Sequence, residues 1–240
     1  MRLRVPFLRD LMKKLLNYFT KFEIALWVSS VLFITVSFLL FDRSSYLSFI
    51  ASIVGATALI FNAKGNPIGP FLFIIFGGLY GIISYSFAYY GEMITYMGMT
   101  VPMAFISLIA WLRNPYKNRK SEVKISSVTK KEILFLIPLT IAVTIVFYVI
   151  LKEFGTANIV PSTFSVTTSF VAVYLTFRRS PYFALVYAFN DIVLIILWTL
   201  ATFKDISYLS VIICFVMFLF NDLYSFFNWK RMQKRQANGE

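Results

Sequence analysis

The chain has 240 residues, 59% of them hydrophobic and only 14% charged, with a mean hydropathy of +0.74 and a formal net charge of +12. A soluble domain carries about 25% charged residues, so this composition calls for a bilayer as solvent. Histidine is absent and Cys214 is the one cysteine, which excludes Ser-His-Asp and Cys-His catalysis, His-ligated zinc or haem, disulfides and thiolate clusters.

No GxxxxGK[ST] pattern occurs, so the chain has no P-loop ATPase of its own. No cofactor and no metal site are expected. The N-terminal MRLRVPFLRDLMKK is expected to be a retained cytoplasmic arm, because no apolar run of about 7–15 residues with a small-residue cleavage site follows it.

Charges then cut the chain into spans 24–41, 44–63, 65–91, 93–112, 133–151, 154–177, 180–203 and 206–229. A helix needs about 20 residues to cross a hydrocarbon core, and all eight spans have that length. They are apolar on both parities, which argues against a β-barrel. The expected fold is an all-α polytopic membrane protein of eight transmembrane helices.

Loop charges orient it. With the N-terminus inside, cytoplasmic segments hold 20 of the 23 basic residues, and the outer loops hold Arg43, Lys152 and Lys204. That asymmetry places both termini in the cytoplasm. The basic excess is therefore a topological record and not a nucleic-acid patch. The longest polar stretch is 113–132, too short for a soluble catalytic domain, and an enzymatic role is not expected.

The second to fourth and the sixth to eighth spans run in the same sense. Their closing segments match, Ser107-Leu-Ile-Ala-Trp111-Leu-Arg113 against Ser225-Phe-Phe-Asn-Trp229-Lys-Arg231, as do the turns Lys64-Gly-Asn-Pro67 and Arg178-Arg-Ser-Pro181. This predicts 3+1+3 parallel repeats about an axis along the membrane normal, with a site between them near the midplane. The expected parts are an arm and peripheral first helix (1–43), a first repeat (44–112), a basic loop with a linker helix (113–153), a second repeat (154–229) and a cytoplasmic tail (230–240).

Polar residues inside spans mark the candidate site. Asp191 lies halfway along its span, where an aspartate costs about 2.5–3.5 kcal/mol on insertion scales. Phe183, Tyr187, Asn190 and Asp191 share a helical face. Aromatic planes beside an amide and a carboxylate suit a flat heterocycle joined to a hydroxylated sugar. Asn221 and Asp222 recur in the last span, where Asp222 is open to pairing with Lys230 or Arg231. It is read as lying at a different depth from Asp191. Tyr80, Ser84 and Phe87 fall near one face of the third span, and Gly77 and Gly81 on a close-packing neighbour face. Tyr85, Tyr89, Tyr90 and Trp111 read as interfacial belt residues. Glu92 favours a helix N-terminus, and Pro102 and Pro138 read as kinks.

The stretch GGLYGIISYSFAYYGE (77–92), Pro102, the closing Trp111-Leu-Arg-Asn, the Arg178-Arg179 pair, Asn190 and the ending Asn221-Asp-Leu-Tyr-Ser-Phe-Phe-Asn-Trp229 resemble the PnuC family of bacterial nicotinamide riboside transporters. The resemblance covers roughly 44–231. It implies a SWEET-like 3+1+3 core with an added N-terminal helix, a homotrimer with one pathway per protomer, and the bacterial inner membrane. It also implies a facilitator whose cargo is trapped by a cytoplasmic kinase.

Three positions depart from the family. Where its W-x-x-W-x-x-x-N motif is aligned on Asn190, Phe183 and Val186 replace the tryptophans, and Ser225 replaces a glycine. Relatives are associated with thiamine, riboflavin and deoxynucleosides. The expected activity is facilitated uptake of nicotinamide riboside or a related nucleoside or vitamin, by alternating access. The alternative is a proton-coupled transporter of a small cationic solute such as thiamine, with Asp191 as carrier.

Overall fold

The computed structural model describes residues 18–86, 90–117, 119–156 and 158–239. The arm before residue 18, Phe87, Tyr89 and the side chain of Tyr90 lie outside the described residues. Among the described residues eight helices are long and apolar enough to cross a membrane. They are α1 (Lys21–Phe41), α2 (Tyr46–Ala63), α3 (Ile68–Ser86), α4 (Gly91–Leu112), α5 (Lys130–Glu153), α6 (Ile159–Phe177), α7 (Tyr182–Thr202) and α8 (Leu209–Ala237).

Local sequence sets their ends. Thr20 and Glu23 start α1 with a capping box, and Thr129 and Glu132 do the same for α5. Asp205 accepts from the Ser207 amide at 2.9 Å and caps the single 3-10 turn Ile206–Tyr208 that leads into α8; that bond holds its carboxyl below the ordinary carboxylate range. Inside α4, residues Tyr96–Thr100 form a π turn just before Pro102. Proline has no N–H to give the preceding turn, so the extra residue is accommodated there. Pro138 sits within a continuous α5.

Helix neighbours form a closed ring. α2 packs on α3, α3 on α4, α4 on α6, α6 on α7, α7 on α8, and α8 returns to α2. Outside the ring, α5 lies against α6, while α1 lies against α2 and α8. Polar bonds fix α1: the Trp27 indole donates to Thr57 Oγ1 at 3.1 Å, Lys64 pairs with buried Glu23 at 3.1 Å, and the Tyr224 hydroxyl donates to Glu23 at 2.8 Å. Across a bilayer such bonds and close contact hold helices together, since lipid tails are as apolar as leucine.

The two turns that share a sequence pattern also share a geometry. After α2 the Gly65 amide bonds Asn62 O and the Asn66 amide bonds Phe61 O; after α6 the Arg179 amide bonds Thr176 O and the Ser180 amide bonds Leu175 O, all at 2.9–3.0 Å. Gly65 and Arg179 both take positive φ, +64° and +56°. The Trp229 indole donates to Asn62 O at 2.7 Å and the Trp111 indole to Thr176 O at 2.9 Å.

The polar stretch 113–132 is more ordered than its composition suggests. It holds a short antiparallel hairpin, β1 (Pro115–Tyr116) and β2 (Arg119–Val123). The Val123 amide donates to Gly65 O and the Ser126 amide to Arg179 O, at 2.9 and 3.1 Å, so one segment is tied to both turns. The helical end of α8 continues past the expected 229 and joins it: Gln236 accepts from the Ile125 amide at 2.9 Å and Arg235 pairs with Glu122.

Candidate functional site

Asp191 of α7 and Asp222 of α8 are brought together at the centre of the ring. Both are buried, 3% and 2% exposed, and their carboxyl groups lie within hydrogen-bonding reach of each other. Asp191 Oδ2 and Asp222 Oδ1 have no hydrogen-bond partner. This corrects two expectations: the residues share one depth, and Asp222 faces Asp191 and not the basic Lys230 or Arg231.

They line a chamber of about 50 Å³ with Tyr96, Thr100, Ser169, Tyr187 and Asn190, closed by apolar rings. Tyr187 is stacked on Phe73, centroids 6.1 Å apart and planes 11° from parallel. Asn190 Oδ1 accepts from Thr168 at 2.7 Å and Ser169 at 3.3 Å, which turns its amide nitrogen to the remaining space.

Above the chamber lies a cavity of about 490 Å³, a size typical of ligand sites. Tyr80, Ser84, Ser48, Ser52, Glu92 and Trp198 line it. Phe76, Phe215 and Phe218 border both spaces and form the partition between them. The rings interlock: Phe76 meets Phe218 edge-on at 6.0 Å, and Tyr80 meets Tyr96 at 4.6 Å. Gly77 and Gly81 let α4 approach, since a Cβ at either would come within 2.7–2.8 Å of Val101 or Met97.

Towards the basic end the ring is shut. Phe183, Trp111, Trp229 and Val123 are each 0% exposed and pack into one cluster. Trp229 meets Trp111 at 5.4 Å and Phe183 edge-on at 4.9 Å. Trp111 is thus an interior plug residue and not part of an interfacial belt. Tyr85 is 63% exposed. Phe183 reaches the chamber only through Tyr187, its edge-on neighbour at 6.3 Å. Asn221 faces away, donating to Ser30 Oγ of α1 at 2.9 Å and to Met217 O at 2.7 Å.

Of the residues singled out in the sequence, Tyr187, Asn190, Asp191 and Asp222 therefore share the chamber, and Tyr80 and Ser84 share the outer cavity. Sequence reading missed Tyr96 and Thr100, whose signal is Pro102, two residues after Thr100, which favours the π turn Tyr96–Thr100. It also missed Phe76, Phe215 and Phe218, which look like any lipid-facing phenylalanine.

Comparisons with known proteins agree with this architecture. A family model described as nicotinamide mononucleotide transporter matches residues 45–231. A nicotinamide riboside transporter PnuC of Neisseria mucosa is 30% identical over 231 residues, covering 94% of this chain and 87% of that protein. A nicotinamide riboside transporter PnuC of Haemophilus influenzae is 24% identical over 192 residues, 80% of this chain and 82% of that one. A crystal structure of the vitamin B3 transporter PnuC superposes with a TM-score of 0.77 at 26% identity, covering 90% of this chain and 94% of the other. Matched over most of its length by sequence and by fold, the chain belongs to the PnuC-type nicotinamide mononucleotide transporter family of membrane transporters.

Proposed function

We propose that the protein carries nicotinamide riboside across the bacterial inner membrane by facilitated diffusion, both termini facing the cytoplasm. The observation that carries this reading is a ligand-sized outer cavity resting on a polar inner chamber, the two sharing Phe76, Phe215 and Phe218. Cargo enters the outer cavity past Tyr80 and Ser84. It passes when the three phenylalanines part and meets Tyr187, Asn190, Asp191 and Asp222. It leaves when the Trp111–Trp229 plug opens, one three-helix unit (44–112) rocking against the other (154–229). The paired turns and paired indole bonds support that two-unit division.

The family description names a mononucleotide and the relatives a riboside; they differ by a phosphate. Among the described residues, the outer cavity is lined by Asp42, Glu92 and Asp205 against Arg43, and the chamber by two aspartates without Lys or Arg. A phosphate dianion is repelled along such a path, so the riboside is the cargo. Accumulation then rests on a cytoplasmic kinase, and the working unit is a homotrimer with one pathway in each protomer.

Vesicles containing the purified protein are expected to equilibrate labelled nicotinamide riboside faster than empty vesicles and to exclude the mononucleotide. Riboside equilibration no faster than in empty vesicles would sink the proposal. Initial rates that follow an imposed pH gradient would instead assign proton-coupled import of a cationic solute.

A further inference from the structure

Two carboxyl groups in contact, nine-tenths buried or more, normally have a cation beside them. Among the described residues no Lys or Arg lines the chamber. The titratable groups facing Asp191 and Asp222 are Tyr187 from α7, Tyr96 from α4 and Cys214 from α8, none of which bears positive charge. Asp191 Oδ2 and Asp222 Oδ1 are buried and accept from no N–H or O–H of the described residues, so within the chamber the pair's charge is offset by no protein cation.

The rest of the lining points to the ligand's charge. Phe73, Phe76, Tyr96, Tyr187, Phe215 and Phe218 surround the pair, and the faces of such rings carry negative electrostatic potential that favours a flat cation. Two like charges this close repel in a water-poor site, which favours a pair that shares one proton.

We propose that the Asp191–Asp222 pair acts as a one-charge counter-ion that selects solutes with a planar monocationic ring, such as the pyridinium of oxidised nicotinamide riboside, over neutral rings of the same shape. This rests on the transport reading above and deepens it. One carboxylate faces the ring cation, while the protonated partner donates its hydrogen bond to that carboxylate. The site needs one ionised carboxyl, and either aspartate supplies it.

The test is calorimetric binding of oxidised nicotinamide riboside and of its neutral, reduced dihydropyridine form to the full chain in detergent. The wild type is expected to favour the oxidised form by on the order of tenfold or more. Asp191→Asn and Asp222→Asn each keep most of that preference, because asparagine stands in for the protonated acid. The double variant loses it and binds both forms alike, with a thermal unfolding midpoint showing that it folds. Equal binding of the two forms by the wild type overturns this inference and leaves the transport reading standing, with no variant needed. Loss of the preference in either single variant as complete as in the double also overturns it. Binding of neither form by the wild type overturns both readings.

Discussion

Phe183 and Tyr187 are one turn apart on α7, yet their surroundings differ. Phe183 is wedged against Trp111 and Trp229 with no exposed surface, whereas Tyr187 lines the chamber on one side and Phe73 on the other. Emptying the Phe183 site leaves a void whose walls lose their contacts. Phe183→Ala is expected to cost about 2 kcal/mol or more in detergent unfolding, while the folded fraction keeps its riboside affinity within about twofold. Tyr187→Ala removes a stacking plane and is expected to weaken binding by about tenfold. Equal losses of affinity in the two variants would return Phe183 to the binding surface. The shared helical face was readable from spacing alone. Spacing does not say where along the pore that face stops touching cargo and starts touching the plug, because the indoles arrive from α4 and α8.

At the scale of elements, span count and order follow from charge breaks, and they hold in the structure. Neighbour relations do not follow so simply: that α4 meets α6 and α8 meets α2 depends on small residues at particular heights. Gly69 shows this. A Cβ there would lie 2.1 Å from Asn62 Oδ1 and 2.8 Å from the Asn62 backbone nitrogen, so α2 and α3 cannot keep their separation. Gly78, by contrast, has nothing within 4 Å. Gly69→Ala is expected to destabilise by about 1–3 kcal/mol, and Gly78→Ala to be neutral or to stabilise by up to about 1 kcal/mol through helix propensity. Unfolding midpoints of the two variants in one detergent decide the matter, and a Gly78→Ala loss as large as that of Gly69→Ala would show that lipid contact, not α2–α3 contact, sets the cost. The same dependence on height hid the acid pair. Asp191 and Asp222 are visible as misplaced charges in the sequence, but their meeting is set by how far α7 and α8 slide past each other.

The whole ring is closed at one end and cupped at the other. The closed end carries Trp111, Trp229, the hairpin of β1 and β2 and the basic tail of α8; the cup is rimmed by residues 41–45 and 205–208. In the proposed orientation, argued from the positive-inside asymmetry, the closed end faces the cytoplasm and the conformation presents its cavity to the outside. Ser48 is half-buried on the cup wall, whereas Ser107 sits beside Tyr187 and Asn62, between the chamber and the indole pair. In a Cys214→Ser background, Ser48→Cys is expected to react with a membrane-impermeant maleimide added to intact cells, and Ser107→Cys to stay unmodified from either face. Adding Trp229→Ala removes the indole that bonds Asn62 O at 2.7 Å and half of the plug. Ser107→Cys should then become reactive in inverted vesicles while remaining protected in intact cells. Labelling of Ser48→Cys only in inverted vesicles would reverse the orientation. Exposure of Ser107→Cys to the outside on loss of Trp229 would show that the indole pair holds the phenylalanine partition closed, and that Trp111 and Trp229 are not the barrier facing the basic end.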